Sequence, residues 1–105
     1  MVITITLRQK QSKFVILVAS LLKFAYDHGF EITFGDAWAR EGHKKDSFHY
    51  KRLAIDLNLF KDGKYLYHTE DHKPLGEYWE SLDPLCSWGG RFKNSDGNHY
   101  SYGEK

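Results

Sequence analysis

The chain has 105 residues, of which 41% are hydrophobic and 16% aromatic, which is typical of a folded globular protein and excludes a disordered one. This length predicts a single domain over residues 1–105, too short for a catalytic domain and a separate binding module. A net charge of +1 gives no reason to expect a nucleic-acid partner, because such binding depends on clustered cations. The single cysteine, Cys86, excludes an intrachain disulfide and a metal site built on thiolates.

The first predicted element is a long amphipathic helix from about Leu7 to His28, followed by Gly29 as its C-terminal stop. Its apolar face repeats at helical spacing and consists of Phe14, Leu17, Val18, Leu21, Leu22 and Ala25. The apolar run at 14–22 has the character of a signal-peptide core, but Lys23 interrupts it and no small-residue cleavage site follows. The run is also shorter than the roughly 20 apolar residues that span a membrane. We therefore interpret it as a scaffold helix and expect no stable membrane association.

The middle of the chain predicts two strands. Residues 31–34 form a short strand, and the polar segment 35–46 that follows is of the kind that lines functional sites. From Leu53 to Phe60 apolar and other residues alternate, which predicts a half-buried strand. Asp56 is therefore predicted on the face of this strand that points away from the core.

The C-terminal half predicts a hairpin, a second helix and a last strand. Asp62-Gly63 is a hairpin signal leading into residues 65–67. A helix over about 74–82 starts with Pro74 and has an apolar face of Leu75, Tyr78, Trp79 and Leu82. A tight aromatic turn at 88–92 precedes a strand at 99–102, which we expect to pair with the Asp56 strand. Together these elements predict an α+β fold, in which a small antiparallel sheet carries a metal site and two helices pack on its other side.

Four residues in this pattern have the chemistry of a hydrolytic metal site. His49, Asp56 and His99 supply two imidazoles and one carboxylate, a ligand set for a zinc whose fourth position is open. Asp96, three residues before His99 in a Gly-Asn turn, is placed to stand beside the metal as a general base. Each histidine alone is more often an ordinary polar or core residue, so the interpretation depends on their joint placement.

These residues belong to four separated blocks, which are Ser47-Phe48-His49, Ala54-Ile55-Asp56, Trp88-Gly89-Gly90-Arg91-Phe92 and Asp96-Gly97-Asn98-His99. In this order the blocks resemble the zinc D-Ala-D-Ala carboxypeptidase and L-alanyl-D-glutamate peptidase family, which includes vancomycin-resistance dipeptidases and phage endolysins. The resemblance runs from about Phe30 to Tyr100. It is specific because several blocks occur together in the family's order.

The resemblance implies a zinc metallopeptidase that acts on peptidoglycan, with Zn²⁺ as cofactor. It implies that His49, Asp56 and His99 are the zinc ligands and that Asp96 is the catalytic carboxylate. The short form of the segment 53–60 resembles endolysins that cut the L-Ala-D-Glu bond, so we expect that bond to be cleaved. D-Ala-D-Ala carboxypeptidase or dipeptidase action is the alternative. A third hypothesis is a non-catalytic zinc-binding module that recognises the cell wall.

The resemblance also assigns roles to residues around the metal. Arg40 is expected to be catalytic by holding a substrate or transition-state oxygen, although Ala39 stands where many members have an aromatic residue directly before the arginine. Ser47 is expected to contact substrate or, as the alternative, to support a metal ligand, and Trp88 is expected to bind substrate as one wall of the cleft. His43 is a possible extra ligand, but a loop histidine among lysines is more often exposed.

The remaining expectations concern the core and the biological setting. Trp79, Trp88, Phe92 and Cys86 are expected to lie in the core. His68 and His72 are expected at a charged hairpin edge, with binding of a surface metal as the alternative. We expect a monomer whose partner is the peptidoglycan stem peptide. As an endolysin without a signal peptide, it would be made in the host cytoplasm and act on the cell wall after release.

Overall fold

The structure, a computed structural model, describes residues 5–43 and 47–104. Within these ranges the main elements are helix α1 (Leu7–Asp27), strand β1 (Glu31–Phe34), strand β2 (Ala54–Lys61), strand β3 (Lys64–Leu66), helix α2 (Lys73–Leu82), strand β4 (Cys86–Trp88) and strand β5 (His99–Tyr102). Short 3₁₀ helices cover Phe48–Lys51, Thr69–His72 and Gly89–Arg91. The predicted α+β fold, with two helices and a small antiparallel sheet, is confirmed.

Strand β2 is the centre of the sheet. The order is β1-β2-β5-β4, and β3 also pairs with β2 through the predicted hairpin. All pairings are antiparallel. The hairpin turn has positive φ at both central residues, 52° at Asp62 and 76° at Gly63, as the primed turns of two-residue hairpins require. The predicted pairing of the last strand with the Asp56 strand is also confirmed.

Helix α1 has the boundaries that its sequence predicts. It begins after Thr6, whose hydroxyl oxygen accepts from the Gln9 backbone N–H at 3.1 Å, while the Gln9 side-chain oxygen accepts from the Thr6 N–H at 2.9 Å. It ends before Gly29, which has a φ of 85°. Neither helix of the described ranges combines the length and apolarity needed to cross a bilayer.

The core lies between the two helices and the inner face of the sheet. Trp79 is completely buried, and its indole N–H is shared by the Ser87 and Ser101 carbonyls at 3.2 and 3.0 Å. Cys86 is buried as expected, and burial raises the pKa of its thiol to about 12, so it stays protonated. The expected core positions of Trp79 and Cys86 are confirmed.

Two burial expectations are wrong. Phe92 is 41% exposed, because it follows the 3₁₀ turn Gly89–Arg91 on the outer side of the sheet, where its ring lies 5.3 Å from that of His99. His72 is only 3% exposed, because the 3₁₀ helix that carries it packs directly against α2 and β5. The charged neighbours of His72 in sequence suggested an exposed edge, but they point away from the core that the ring enters.

Strand β4 was not predicted from the sequence. It has three residues, all buried, so it shows no alternation of apolar and polar positions. Its N-terminal residue Cys86 pairs with Tyr102, and its last residue Trp88 pairs with Tyr100. Only the presence of β5 at its edge makes this segment a strand.

The Trp88 ring is held between two glycines, and this contact generates a stability prediction. A methyl group on either Gly76 of α2 or Gly90 would overlap the ring, and the ring is fixed because its N–H donates to the Gly97 carbonyl at 2.7 Å. We expect Gly76→Ala to lower the free energy of unfolding by roughly 1–3 kcal/mol, as overpacking does. At an exposed helix position the same change would instead stabilise by about 1 kcal/mol.

Chemical denaturation of Gly76→Ala and of the control Glu77→Ala, an exposed position on the same helix, measures this effect. The control should stay within about 0.5 kcal/mol of the wild type. A Gly76→Ala protein more stable than the wild type would contradict the tight packing of Trp88 on α2.

Candidate metal centre

His49 is positioned by the 3₁₀ helix Phe48–Lys51. Ser47 caps this helix, since its hydroxyl oxygen accepts from the His49 backbone N–H at 3.2 Å. The turn ends at Arg52, which adopts a left-handed conformation with φ 58°. The His49 ring is thereby directed inward and is only 1% exposed. The observed contact of Ser47 is with the backbone of the candidate ligand, and its substrate contact stays a prediction.

Asp56 and His99 face each other across the β2–β5 pair. They are direct partners in the antiparallel register, so their side chains leave the same face of the sheet. On the other edge of β2 the Gly35 N–H donates to the Asp56 carbonyl at 2.7 Å, and the Asp56 N–H donates to the Asp36 carbonyl at 2.8 Å. A Cβ on Gly35 would lie 3.1 Å from the Asp56 Cβ. The Gly35-Asp36 segment therefore fixes the backbone of Asp56 on the edge of β2 opposite β5. Residues 44–46, at the end of the predicted polar segment, lie outside the described residues.

The three predicted ligands converge on one carboxylate oxygen. Asp56 Oδ1 lies 3.1 Å from His49 Nε2 and 3.7 Å from His99 Nδ1. The two imidazole rings are 5.1 Å apart between centroids. The His49 and His99 side chains are 1% and 10% exposed, and that of Asp56 is 19% exposed. A sheltered set of two imidazoles and one carboxylate is thus present.

The Asp56 carboxyl stays ionised in this setting. Burial alone raises its pKa, but the hydrogen bonds and charges of His49 and His99 together outweigh burial and hold the pKa below its usual value. An ionised carboxylate between two imidazoles is the form that binds a cation. The local electrostatics therefore favour a metal ligand at Asp56.

The donor set fits a metal, because imidazoles and a carboxylate are typical zinc ligands. His49 directs its Nε2 at Asp56, and its buried Nδ1 has no hydrogen-bond partner among the described residues. Ligand atoms around a tetrahedral zinc lie about 3.3 Å apart. The two Asp56 separations, 3.1 and 3.7 Å, lie on either side of this distance. His49 and His99 belong to different groups of candidate ligands, and Asp56 is the ligand that joins them.

His43 is the site residue that the sequence reasoning undervalued. Its ring stacks on that of His49 with centroids 4.0 Å apart, and its Nε2 is 3.1 Å from Asp36 Oδ2. The Tyr50 hydroxyl fixes the His43 backbone, because it accepts from the N–H at 2.8 Å and donates to the carbonyl at 2.7 Å. Spacing along a loop gave no signal for this, and only the fold brings His43 to the site.

Among residues 5–43 and 47–104, two groups of three side chains each offer one ligand atom per residue with all three atoms within 4.8 Å of one another. One contains His43, His49 and Asp56, and the other contains Asp56, Asp96 and His99. Both groups contain Asp56, so its carboxylate lies close to each of the other candidate ligands. The predicted set takes one histidine from each group, and His43 is an alternative partner for the same ion.

Asp96 is exposed at the rim of the site, as its predicted role requires. Its N–H donates to the Gly89 carbonyl at 2.9 Å, and its own carbonyl accepts from the His99 N–H at 3.1 Å. A side chain at Gly89 would overlap the Asp96 carbonyl. Trp88, 3% exposed, supports the same loop through its bond to Gly97. The contacts observed for Trp88 are structural, and its role as a wall of the cleft stays a prediction.

Arg40 is exposed and lies next to Ala39, whose N–H donates to the His49 carbonyl at 3.3 Å. This bond ties the arginine's segment to the backbone of a candidate metal ligand. The Arg40 backbone therefore lies one residue from a contact with the backbone of His49. Its catalytic role stays a prediction.

A small antiparallel sheet with two imidazoles, a carboxylate ligand and a second carboxylate at the rim defines a candidate hydrolytic metal centre. Residues 40–102 match the family model described as D-alanyl-D-alanine carboxypeptidase. The match covers more than half of the chain, so the chain belongs to this family of peptidases. Peptidases of the family are metalloenzymes, in agreement with the His/Asp cluster.

The fold is shared with a solved structure. The crystal structure of the Serratia marcescens L-Ala D-Glu endopeptidase ChiX aligns with a TM-score of 0.72, covering 92% of this chain and 83% of that one. The sequences are 14% identical over the alignment, a level at which the likeness establishes the fold alone. No curated protein matches this chain significantly by sequence.

The geometry predicts how the metal content depends on each histidine. We expect purified protein to hold about one zinc per chain, and the double variant His49→Ala/His99→Ala to hold none, because both predicted imidazole ligands are then gone and His43 is the one imidazole left beside Asp56. Elemental analysis after removal of loosely bound metal measures this. The exposed His28→Ala is the matched control and should keep full zinc.

Single variants separate the two ligand sets. If the predicted set holds the ion, His99→Ala lowers zinc affinity more than His43→Ala does. The reverse order would make His43 the ligand and remove His99 from the metal. Full zinc content in the double variant would overturn the site altogether.

Proposed function

We propose that this chain is a zinc-dependent peptidase that hydrolyses the L-Ala-D-Glu bond of the peptidoglycan stem peptide. The observation that carries the proposal is the cluster of Asp56, Asp96 and His99, which sets a rim carboxylate within 4.8 Å of two candidate metal ligands. A purely structural zinc site is closed by four protein ligands and needs no such base. The family description supports peptide hydrolysis, and the ChiX fold supports this bond.

His49, Asp56 and His99 would hold the zinc. Bound there, zinc supplies a Lewis acid and makes water acidic enough to act as a nucleophile near neutral pH. The ionised Asp56 contributes the negative charge of the ligand set. The buried His49 and His99 limit the access of bulk water to that side of the site.

Asp96 is the general base and then the general acid of the proposed reaction. Its exposed carboxylate accepts a proton from the attacking water and passes it to the amine of the leaving residue, so one group serves as base and then as acid. The backbone bonds to Gly89 and His99 keep it at the rim while its side chain reaches the scissile bond. No covalent intermediate with the protein is needed.

Arg40 stabilises the oxyanion that forms on the scissile carbonyl. A guanidinium stays charged at every relevant pH and donates several hydrogen bonds. The bond between Ala39 and His49 holds its segment near the metal side of the sheet. Ser47 and Trp88 contribute to substrate binding through the positions of His49 and of the Asp96 loop.

A second candidate function is D-Ala-D-Ala carboxypeptidase or dipeptidase action, which the description of the family favours. The third is a zinc-binding wall-recognition module without catalysis. The rim position of Asp96 favours an enzyme over this module. The three candidates give different products from the same substrate.

The biological role that we propose is that of a phage endolysin. The support is the short form of the β2 segment, which resembles endolysins that cut this bond. Such a protein is made in the host cytoplasm, acts as a monomer and reaches the cell wall after release. Lysis of sensitised cells by protein added from outside would be consistent with this role.

Products identify the reaction. Zinc-loaded protein is incubated with purified peptidoglycan, and the soluble fragments are analysed by mass spectrometry. Cleavage at L-Ala-D-Glu leaves L-Ala on the glycan and releases peptides with a new N-terminal D-Glu. Free D-alanine would indicate a carboxypeptidase, and binding without any product would indicate the recognition module.

Asp96→Asn tests the base. The amide keeps size and polarity but cannot accept the proton, so we expect turnover to fall by about 10²–10⁴ while zinc content persists. Asp62→Asn, in the hairpin turn, is the matched control and should leave turnover unchanged. Zinc lost together with activity would make Asp96 a ligand, and activity retained with zinc would make it a turn residue.

Arg40→Ala tests the oxyanion donor. We expect kcat to fall by about 10²–10³, with a change in the free energy of unfolding within about 0.5 kcal/mol because the residue is exposed. Arg8→Ala, an exposed arginine of α1, is the control. An unchanged kcat would make Arg40 a surface charge.

A further inference from the structure

A pocket of about 230 Å³ opens beside Asp96. Its walls are Tyr65 and Tyr67 at the end of β3, Thr69 and His72 of the 3₁₀ helix, and the loop 95–98 before β5. At about 30 Å³ for each water, the volume corresponds to several water molecules and accommodates an amino-acid side chain. Because Asp96 belongs both to this pocket and to the metal cluster, the pocket adjoins the proposed reaction centre.

His72 is the buried polar residue of this pocket, and it has no part in the proposed reaction. Its side chain is 3% exposed, and its Nδ1 lies 2.8 Å from the Tyr100 hydroxyl oxygen. Tyr100 is completely buried, and within the described ranges its hydroxyl has no other hydrogen-bond partner. A phenol has an ordinary pKa of about 10, so the Tyr100 hydroxyl carries its proton near pH 7.

This contact sets the tautomer of His72. A buried hydroxyl proton without an acceptor is costly, so Tyr100 donates to Nδ1. Burial lowers the pKa of His72 to about 4, against a smaller opposing effect of the nearby Asp71 carboxylate. The ring is therefore neutral near pH 7 and carries its proton on Nε2. Nδ1 is occupied by the buried tyrosine, so Nε2–H is the donor that this pocket-lining ring has left for a ligand.

We propose that this pocket is a substrate subsite and that His72 Nε2–H donates a hydrogen bond to a carbonyl or carboxylate oxygen of the stem peptide. The proposal rests on the function proposed above. A peptide whose scissile bond lies at Asp96 places a neighbouring residue about 3.5 Å further along the chain, which is towards the pocket. His72 is then a specificity-determining residue, and Tyr100 is a positioning residue that fixes its tautomer.

The donor chemistry identifies what the pocket prefers. Thr69, Ser95 and Asn98, which have hydroxyl or amide side chains, line the pocket together with His72. Asp96 is the one acidic residue among the lining residues. Walls with several neutral donors suit an oxygen acceptor. That acceptor is either a peptide carbonyl or the free carboxylate of the acidic residue, and both occur in the proposed substrate.

Substitutions at His72 provide the first test. The zinc-loaded His72→Phe protein loses the donor and should show a KM for a soluble stem peptide about three- to tenfold higher, with kcat nearly unchanged. His72→Gln places an amide N–H near the Nε2 position and should restore KM to within about threefold of the wild type. Zinc content and melting temperature are measured on every preparation.

The Tyr100 hydroxyl loses its acceptor in His72→Phe, so this variant has a structural control. In His72→Phe/Tyr100→Phe both polar partners are apolar and no buried hydroxyl is left unpaired. A raised KM in the double variant as well assigns the effect to the lost donor. A KM that returns to the wild-type value in the double variant assigns it to strain at Tyr100 and overturns the proposal.

Two peptide substrates distinguish the acceptor. One has the free carboxylate on the acidic residue, and the other has this group amidated. If the carboxylate is the acceptor, amidation raises KM for the wild type but not for His72→Phe. If a peptide carbonyl is the acceptor, His72→Phe raises KM equally for both peptides. An unchanged KM for both peptides in a folded, zinc-loaded His72→Phe protein overturns the subsite.

Nitrogen-15 NMR of the histidine side chains separates this inference from the proposed function. The free protein should show His72 as the neutral Nε2–H tautomer, and added peptide should shift the Nε2–H signal. If the wild type cleaves no peptide, the proposed function fails, and the peptide-induced shift alone then decides the subsite. The Nδ1–H tautomer, or a signal that peptide leaves unmoved, overturns the proposal.

Discussion

The antiparallel register of β2 against β5 is the constraint on which the site depends. It sets Asp56 directly opposite His99, so two candidate ligands from distant parts of the chain leave one face of the sheet as neighbours. A shift of one residue would turn one of them into the core. The alternation of leucine and isoleucine on the opposite face of β2 fixes the register, because slipping would expose these side chains. The core thereby specifies the geometry of the metal centre.

Close backbone contacts hold the rest of the site against this pair. Gly35 lets the segment after β1 approach Asp56, and Gly89 lets the Asp96 loop lie against the start of β5. Trp88 braces that loop from the core side through its bond to the Gly97 carbonyl. Trp88 therefore connects helix α2, which packs against its ring, with the loop that carries Asp96.

Environment separates the roles of similar groups. Asp56 is sheltered between two imidazoles that hold its pKa low, as the proposed ligand role requires, whereas Asp96 is exposed, as the proposed role of general base requires. His49 is buried with one nitrogen directed at Asp56 and so suits a metal. His72 is equally buried, but its partner is the hydroxyl of Tyr100, which makes it a neutral donor. The chemistry of each residue follows from its neighbours more than from its type.

The sequence by itself determined the elements that depend on local periodicity and turn chemistry, and a resemblance over four blocks predicted the site residues. The 3.6-residue repeat and Gly29 defined α1, and alternation with Asp62-Gly63 defined β2 and its hairpin. Tertiary structure alone decided the strand at Cys86, the exposure of Phe92 and the burial of His72. It also brought His43 onto His49. Each of these depends on contacts between residues far apart in the chain, and local patterns carry no information about such contacts.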